Sequence, residues 1–302
     1  MQCEILVFTL DSIPIRAQRL LTAAGVASSR RHAETLLAAG RVSLNTGATL
    51  HLGASLPPAD AHLLRVDGVP LTPLPPTSPL LGSSAKLYAF HKPRGYLSAW
   101  RDFRAPPRGT LADALCLRGA PPPASPRLLH AGRLDLDSEG LLLLTTCGQL
   151  ALRVAHPSLG CVKRYLAVAA PLRPGAHALG GLPGALRAGV ALVPESVENG
   201  GGERSQQRPA AASAAALLGW EAAESAFSRC GAGALGRCAG GAAVVSLALN
   251  DGRRRVVRRM MEALGWRVQR LLRVAVGSVE LGALPAGAWE EVAAADFDGV
   301  LR

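Results

Sequence analysis

Residues Leu128-Leu129-His130-Ala131-Gly132-Arg133-Leu134-Asp135-Leu136-Asp137-Ser138-Glu139-Gly140 run directly into the apolar stretch Leu141-Leu142-Leu143-Leu144-Thr145. Two aspartates and an arginine between a glycine and a hydrophobic strand are costly to place there unless the charge has a use. Gly132 permits a tight bend, Arg133 can reach a phosphate or a carboxylate, and Asp135 sits at the turn. Leu141 to Thr145 reads as a buried strand leaving that turn. For an isolated Gly-Arg-Leu-Asp a plainer reading exists, in which Asp137 and Ser138 form a turn and Asp135 is its exposed shoulder.

Composition bounds what that loop serves. With 302 residues, 49% of them hydrophobic, the chain is long enough for two domains and a sizeable core. Thirty-three Lys and Arg against 22 Asp and Glu give a formal net charge of +11, which favours a polyanionic partner such as nucleic acid or an acidic membrane face. No apolar run approaches the roughly 20 residues needed to span a bilayer, and no basic amphipathic helix is long enough to lie on one, so no membrane partner is expected. Six cysteines without a C-x-x-C pair suggest neither a metal site nor a disulfide framework; reduced thiols in an intracellular compartment are expected. Met1 to Pro14 carries Glu4 and Asp11 and makes a poor targeting peptide. The chain holds no P-loop and no dinucleotide fingerprint, and no cofactor is expected.

Outward from the loop, the chain divides by composition. Residues 1–15 form an extension. Over 16–70 the pattern predicts a compact ααβ unit: a helix from Ala17 to Ala24 ended by Gly25, and a helix from Arg30 to Ala39 burying Ala33, Leu36 and Leu37, capped by Ser28 or Ser29 and ended by Gly40. A strand Arg41 to Leu44 and another over Leu63 to Val69, with a turn at Asp67-Gly68, complete it. Arg16, Arg19, Arg30, Arg31, His32 and Arg41 crowd its helix starts and first strand, where they suit phosphates or form a solvated basic face. Residues 71–85, with four prolines, read as a semi-stiff linker, and 86–302 as the larger domain. Within it, 194–243 is rich in Gly, Ala, Ser and Gln and reads as a low-complexity insertion, with a helix expected over Ala211 to Ser228.

Two runs carry resemblances. Gly25-Val26-Ala27-Ser28-Ser29-Arg30-Arg31-His32-Ala33-Glu34 with Ala39-Gly40-Arg41-Val42-Ser43-Leu44-Asn45 closely resembles the S4 RNA-binding domain, which implies docking on structured RNA by shape and backbone contacts. Gly-Arg-Leu-Asp-x-Asp-Ser-x-Gly-Leu-Leu-Leu-Leu-Thr over 132–145 resembles the signature of bacterial-type rRNA pseudouridine synthases of the RsuA/RluB-like family. Ser138 stands where threonine is usual and keeps the hydroxyl. His91-Lys92-Pro93-Arg94-Gly95-Tyr96-Leu97-Ser98 is similar to that family's first motif, and Lys163-Arg164-Tyr165 to its Lys-x-Tyr strand. Gly252-Arg253-Arg254-Arg255-Val256-Val257-Arg258-Arg259-Met260 is similar to its arginine-rich helix, with Arg254 where Asn is frequent and Val256 where Gln is frequent. Val276 to Trp289 is similar to its closing strand and turn.

The resemblance implies an α+β fold, with a central mixed or antiparallel sheet and flanking helices following the small S4 unit, and an isomerase activity that needs no cofactor or metal. It implies catalytic roles for Asp135, for Tyr165 as a stacking surface for the target base, and for Arg258 as the ion-pair partner of Asp135. RNA-binding residues would be Arg16, Arg19, Arg30, Arg31, Arg41, Lys92, Arg133, Lys163, Arg254 and Arg255. The expected partner is structured ribosomal RNA met by a monomer, in a bacterial cytoplasm, a plastid or another ribosome-containing compartment. The competing reading is an inactive S4-type RNA-binding or ribosome-assembly factor.

Overall fold

A computed structural model of the protein describes residues 14–71 (apart from 25, 28 and 29), 86–192 (apart from 103, 121, 123–127, 157–158 and 173–177) and 209–293 (apart from 234 and 236–241). The extension up to residue 13, the linker from 72, the caps expected at 25, 28 and 29, and residues 194–208 of the expected insertion lie outside the described residues. The chain divides into two compact units, one up to Leu80 and one from Leu81.

In the first unit, helices α1 (Ala17–Ala23) and α2 (Arg30–Ala38) bury Leu20, Leu21, Ala33, Leu36 and Leu37 against each other. These are the apolar positions whose three- and four-residue spacing predicts the helices. The strands β2 (Val42–Leu44), β4 (Leu64–Val66) and β5 (Val69–Pro70) form an antiparallel sheet, and the last two join through Asp67 and Gly68, both at positive φ. A two-residue turn of that kind matches the twist of the strands it connects. The short pair β1 (Ile15–Arg16) and β3 (Ser55–Leu56) and a 3-10 turn over Pro58–Leu63 complete the unit.

The second unit is a nine-stranded mixed sheet. Its strands are β6 (Leu87–Lys92), β7 (Leu129–Ala131), β8 (Glu139–Thr145), β9 (Lys163–Pro171), β10 (Ala214–Leu218), β11 (Ala243–Leu249), β12 (Trp266–Val276), β13 (Val279–Glu280) and β14 (Trp289–Glu291). The main order is β10-β11-β9-β12-β8-β6-β14, with β7 on β8 and β13 on β12. Only β12 and β8 run parallel among these pairs.

The unbroken run Leu141 to Leu144 has a physical reason: β8 is covered on both faces. Leu142 and Leu144 enter one core with the helices α3 (Leu111–Leu115), α5 (Leu182–Ala188) and α7 (Val256–Ala263). Leu141 and Leu143 enter the other with α4 (Gly148–Ala155) and α6 (Trp220–Arg229). A strand buried on two faces has no use for polar alternation.

The expected insertion needs correction. Residues 214–218 are an edge strand paired with β11 along its length, and the helix begins at Trp220, not at Ala211. Of the small residues at 211–216, Ala212 and Ala215 are buried and the other four are exposed. Phe227 of α6 is fully buried beneath Arg270, whose guanidinium lies 4.8 Å from the ring centre. The low-complexity stretch thus contains a paired edge strand, and the composition gives no sign of that.

Candidate active site

The 132–138 loop enters from β7 and leaves into β8, so its two ends are pinned side by side on the sheet. Around it, several of the loop's backbone groups find a donor or acceptor from another motif. Ser98 Oγ donates to Leu134 O (2.7 Å) and accepts from Leu134 N–H (3.0 Å). The amide of Gly95 donates to Leu136 O at 2.8 Å, and Ser138 N–H to Asp135 O at 3.1 Å, closing the turn.

Lys92 is fully buried beneath that turn. Its ammonium donates to the carbonyls of Pro93 (3.0 Å), Asp135 (3.2 Å) and Ser138 (2.9 Å), using all three of its protons. Lys92 is therefore misassigned as a phosphate contact: it is the tether that holds Asp135. Burial is the main force on its pKa and pushes it down to about 8, against the pull of Asp135 and other nearby carboxylates.

Lys92→Met would leave three carbonyls without their donor, so a loss of about 2–4 kcal/mol of stability is expected, read by denaturant unfolding. The sign of the pH dependence follows. A lysine whose folded pKa is depressed contributes stability that is present above the ordinary value of 10.5 and lost as pH falls through about 8. The wild type should therefore gain stability on the variant between those two pH values.

Arg258 lies at the start of α7, on the face turned to the loop, and is 8% exposed. It donates from Nη1 to Val268 O (2.8 Å) and from Nη2 to Asp137 O (2.9 Å), and its Nε lies 3.3 Å from the Asp137 carboxylate. Arg255, held at φ +51°, adds a second contact to Asp137 at 3.1 Å. The expected pairing is thus corrected: the carboxylate bound by Arg258 is that of Asp137. Two residues of spacing decide it, because the turn points Asp137 at α7 and Asp135 at the cavity.

Asp135 makes no side-chain hydrogen bond or ion pair among the described residues. Burial is the largest influence on it and raises its pKa. Arg255, Arg258 and Arg254 act in the opposite direction, and Asp137 reinforces the rise. Its carboxylate lines a cavity of about 380 Å³ whose wall also holds Arg133, Tyr165, Arg254, Arg255 and Arg273. Tyr165 is 9% exposed and stands on β9 directly opposite Arg273 of β12.

Residues 86–263 match the family described as RNA pseudouridylate synthase. The chain belongs to that family. It is 34% identical over 269 residues to an uncharacterized RNA pseudouridine synthase of Mycobacterium leprae, an alignment spanning 89% of this chain and 85% of the relative. Ribosomal large subunit pseudouridine synthase B of Haemophilus influenzae is 30% identical over 287 residues, spanning 92% of this chain and 64% of that protein. A crystal structure of a pseudouridylate synthase shares the fold, with a TM-score of 0.52 at 22% identity over 95% of this chain and 99% of that one. The protein is thus an RNA-modifying isomerase with the mixed α+β architecture that the sequence suggests.

The remaining sequence candidates of this pseudouridine synthase are distributed unevenly. Arg133 and Arg254 are exposed at the cavity rim, whereas Lys163 is buried and donates to Cys161 O at 2.8 Å. In the first unit Arg16, Arg30 and Arg31 are exposed and Arg19 half-buried, while Arg41 is engaged in a two-pronged bond to Asp67 (2.8 and 2.5 Å). Sequence reading missed Arg273 altogether. The signal was the one used at Asp135, a charge inside the apolar run Leu271 to Val276. Among the described residues, no group of three or more His, Cys, Asp or Glu side chains is placed to hold a metal ion, and no helix is long and apolar enough to cross a membrane.

Proposed function

We propose that the protein is a site-specific ribosomal RNA pseudouridine synthase in which Asp135 is the catalytic carboxylate and Tyr165 the surface on which the target base rests. The observation that carries this reading is the unpaired, half-buried Asp135 at a cavity that also presents an aromatic ring and several arginines. In the reaction the N1–C1′ bond of a uridine breaks, the uracil turns while still bound, C5 bonds to C1′, the hydrogen of C5 leaves to solvent and N1 takes up a proton. A carboxylate beside the sugar serves as nucleophile at C1′ or as the proton-transfer group of a glycal route. The uridine must leave its stack to enter, and Tyr165 offers it a flat apolar surface in exchange.

Arg258 has a different task from the one the family resemblance assigned. It and Arg255 neutralise Asp137, which keeps a second negative charge from adding fully to that of Asp135, and they fix the turn that aims the catalytic group. Arg133 and Arg254 at the rim suit the phosphates on either side of the extruded nucleotide. The large-subunit activity named for the Haemophilus influenzae relative supports ribosomal RNA as the substrate and, with it, work in a ribosome-containing compartment.

Ribosomal RNA labelled with tritium at C5 of uridine tests the reading. Release of tritium by the wild type is expected, and binding without release would reject it. The first unit we read as an S4 domain, on its paired helices and the exposed Arg16, Arg30 and Arg31. Removing residues 1–70 is expected to weaken binding to structured rRNA by at least about tenfold, with the loss shrinking as salt rises. Unchanged affinity, measured by filter binding, would contradict the docking role.

A further inference from the structure

Two cations in the cavity wall have no counter-charge among the described residues. Lys163 is 6% exposed and Arg273 is 2% exposed, so both have lost most of their water. Buried cations are ordinarily paired with carboxylates. The ion pairs of this unit near the cavity go elsewhere: Asp137 to Arg255 and Arg258, Asp251 to Arg253, and Glu139 to Arg270. Among the described residues no carboxylate lies within ion-pair distance of Lys163 or Arg273. Burial lowers the pKa of Lys163, and the neighbouring charge of Arg273 lowers it further.

Both side chains also keep donors in hand. The Lys163 ammonium spends one proton on Cys161 O. Arg273 donates from Nε to Leu141 O (2.7 Å) and from Nη1 to Arg133 O (3.3 Å), and its Nη2 is buried without a partner. The strand register brings the two together: Arg273 lies opposite Tyr165, and Lys163 is two residues before Tyr165 on the same face of β9. All three line the cavity that holds Asp135.

We propose that Lys163 and Arg273 form an anion subsite that takes a phosphate oxygen of the RNA strand at the nucleotide being modified. This rests on the synthase reading for the identity of the anion. The remaining geometry says what the contact does. Arg273 grips the carbonyls of Arg133 and Leu141, which flank the Asp135 loop on either side, so a phosphate on Nη2 is tied through one rigid guanidinium to the loop that carries the carboxylate. The backbone of the incoming nucleotide and Asp135 are thereby registered against each other, as near-attack geometry requires.

Lys163→Met in the full-length chain is the decisive variant, because it removes an uncompensated buried charge and leaves the Arg273 contacts in place. Binding of a uridine-containing single-stranded RNA oligonucleotide is followed by fluorescence anisotropy across a salt series. Loss of one phosphate contact should lower the slope of log affinity against log salt by about 0.7. The unfolding midpoint should rise at the same time, whereas a purely structural lysine would lower it. Lys163→Arg should restore the slope. An unchanged slope in Lys163→Met, or a lowered midpoint, overturns the subsite. Tritium release by the wild type is scored separately. Without it the synthase reading fails even if the slope changes; with it and an unchanged slope, the subsite alone fails.

Discussion

Replacing Asp135 with asparagine is expected to reduce tritium release by about 10⁴-fold or more and, at neutral pH, to make the protein more stable. The first effect follows from removing the carboxylate in the cavity that, among the described residues, no arginine holds in an ion pair. The second follows from its pKa. Burial outweighs the arginines around Asp135 and lifts its pKa above the ordinary carboxylate value. The sign is then fixed: a group whose folded pKa is raised contributes stability that is fully present below the unfolded value and lost as pH rises through the folded one. The ionised form of Asp135 is therefore a cost to the fold, and asparagine, of the same shape and without charge, removes it. Thermal unfolding of the two proteins from acid to neutral pH measures this directly. Their midpoints should converge at low pH and separate, with the variant higher, as pH increases. The acid limb of activity should likewise lie above the pH expected of an unperturbed carboxylate. A variant that is inactive and also less stable would mean that Asp135 is a structural residue.

Stabilisation on losing the Asp135 carboxylate is the counterpart of how the loop is built. Lys92, Ser98, Arg258 and Arg273 each donate to a backbone carbonyl of 133–141, and Arg258 also pairs with the Asp137 carboxylate. The surrounding motifs thus hold the turn rigid and leave Asp135 unsatisfied. Pre-organisation of this kind keeps a reactive carboxylate available for a ligand.

How much of this the sequence could reveal depends on whether the signal is local. The helices of the first unit follow from apolar spacing, and β8 from an apolar run bounded by glycine and a turn. The loop is legible because charge beside a buried strand is conspicuous. The partner of Arg258 was not legible, since Asp135 and Asp137 differ only in the direction their turn gives them, and that direction comes from contacts with Gly95 and Ser98, some forty residues away in the chain. Lys92 looked like a phosphate contact for the same reason: a lysine beside a proline turn gives no hint that three carbonyls close over it. Arg273 was hidden by distance, its role depending on the pairing of β12 with both β9 and β8. The strand at 214–218 was lost in a run of alanines whose packing no composition rule registers.

Gly140→Ala carries the largest structural penalty anticipated, about 4 kcal/mol or more, and should leave little folded enzyme. Gly140 is at φ +107°, outside what residues with a side chain readily adopt. A Cβ there would sit 2.3 Å from the carbonyl oxygen of Arg273 and 2.6 Å from its amide nitrogen, and both are backbone atoms that cannot turn aside. The contact is unavoidable because Gly140 pairs with Arg273 where β8 and β12 run parallel, immediately after the 132–138 loop. Relief by separating the strands would pull Arg273 from Leu141 O and Arg133 O, and with it the wall of the cavity. Two readouts distinguish this from a general loss of core packing. Urea unfolding should show the midpoint collapse, and any folded fraction should have lost the salt-dependent contact attributed to Arg273 as well as its activity. A Gly47→Ala control, at φ +85° with nothing within 4 Å of the added carbon, isolates the cost of backbone conformation alone. If the two variants lose equal stability, the close approach of the strands is not what requires glycine at 140. A much larger loss at Gly140 would instead locate the requirement in the strand crossing that sets the position of Asp135 relative to Arg273.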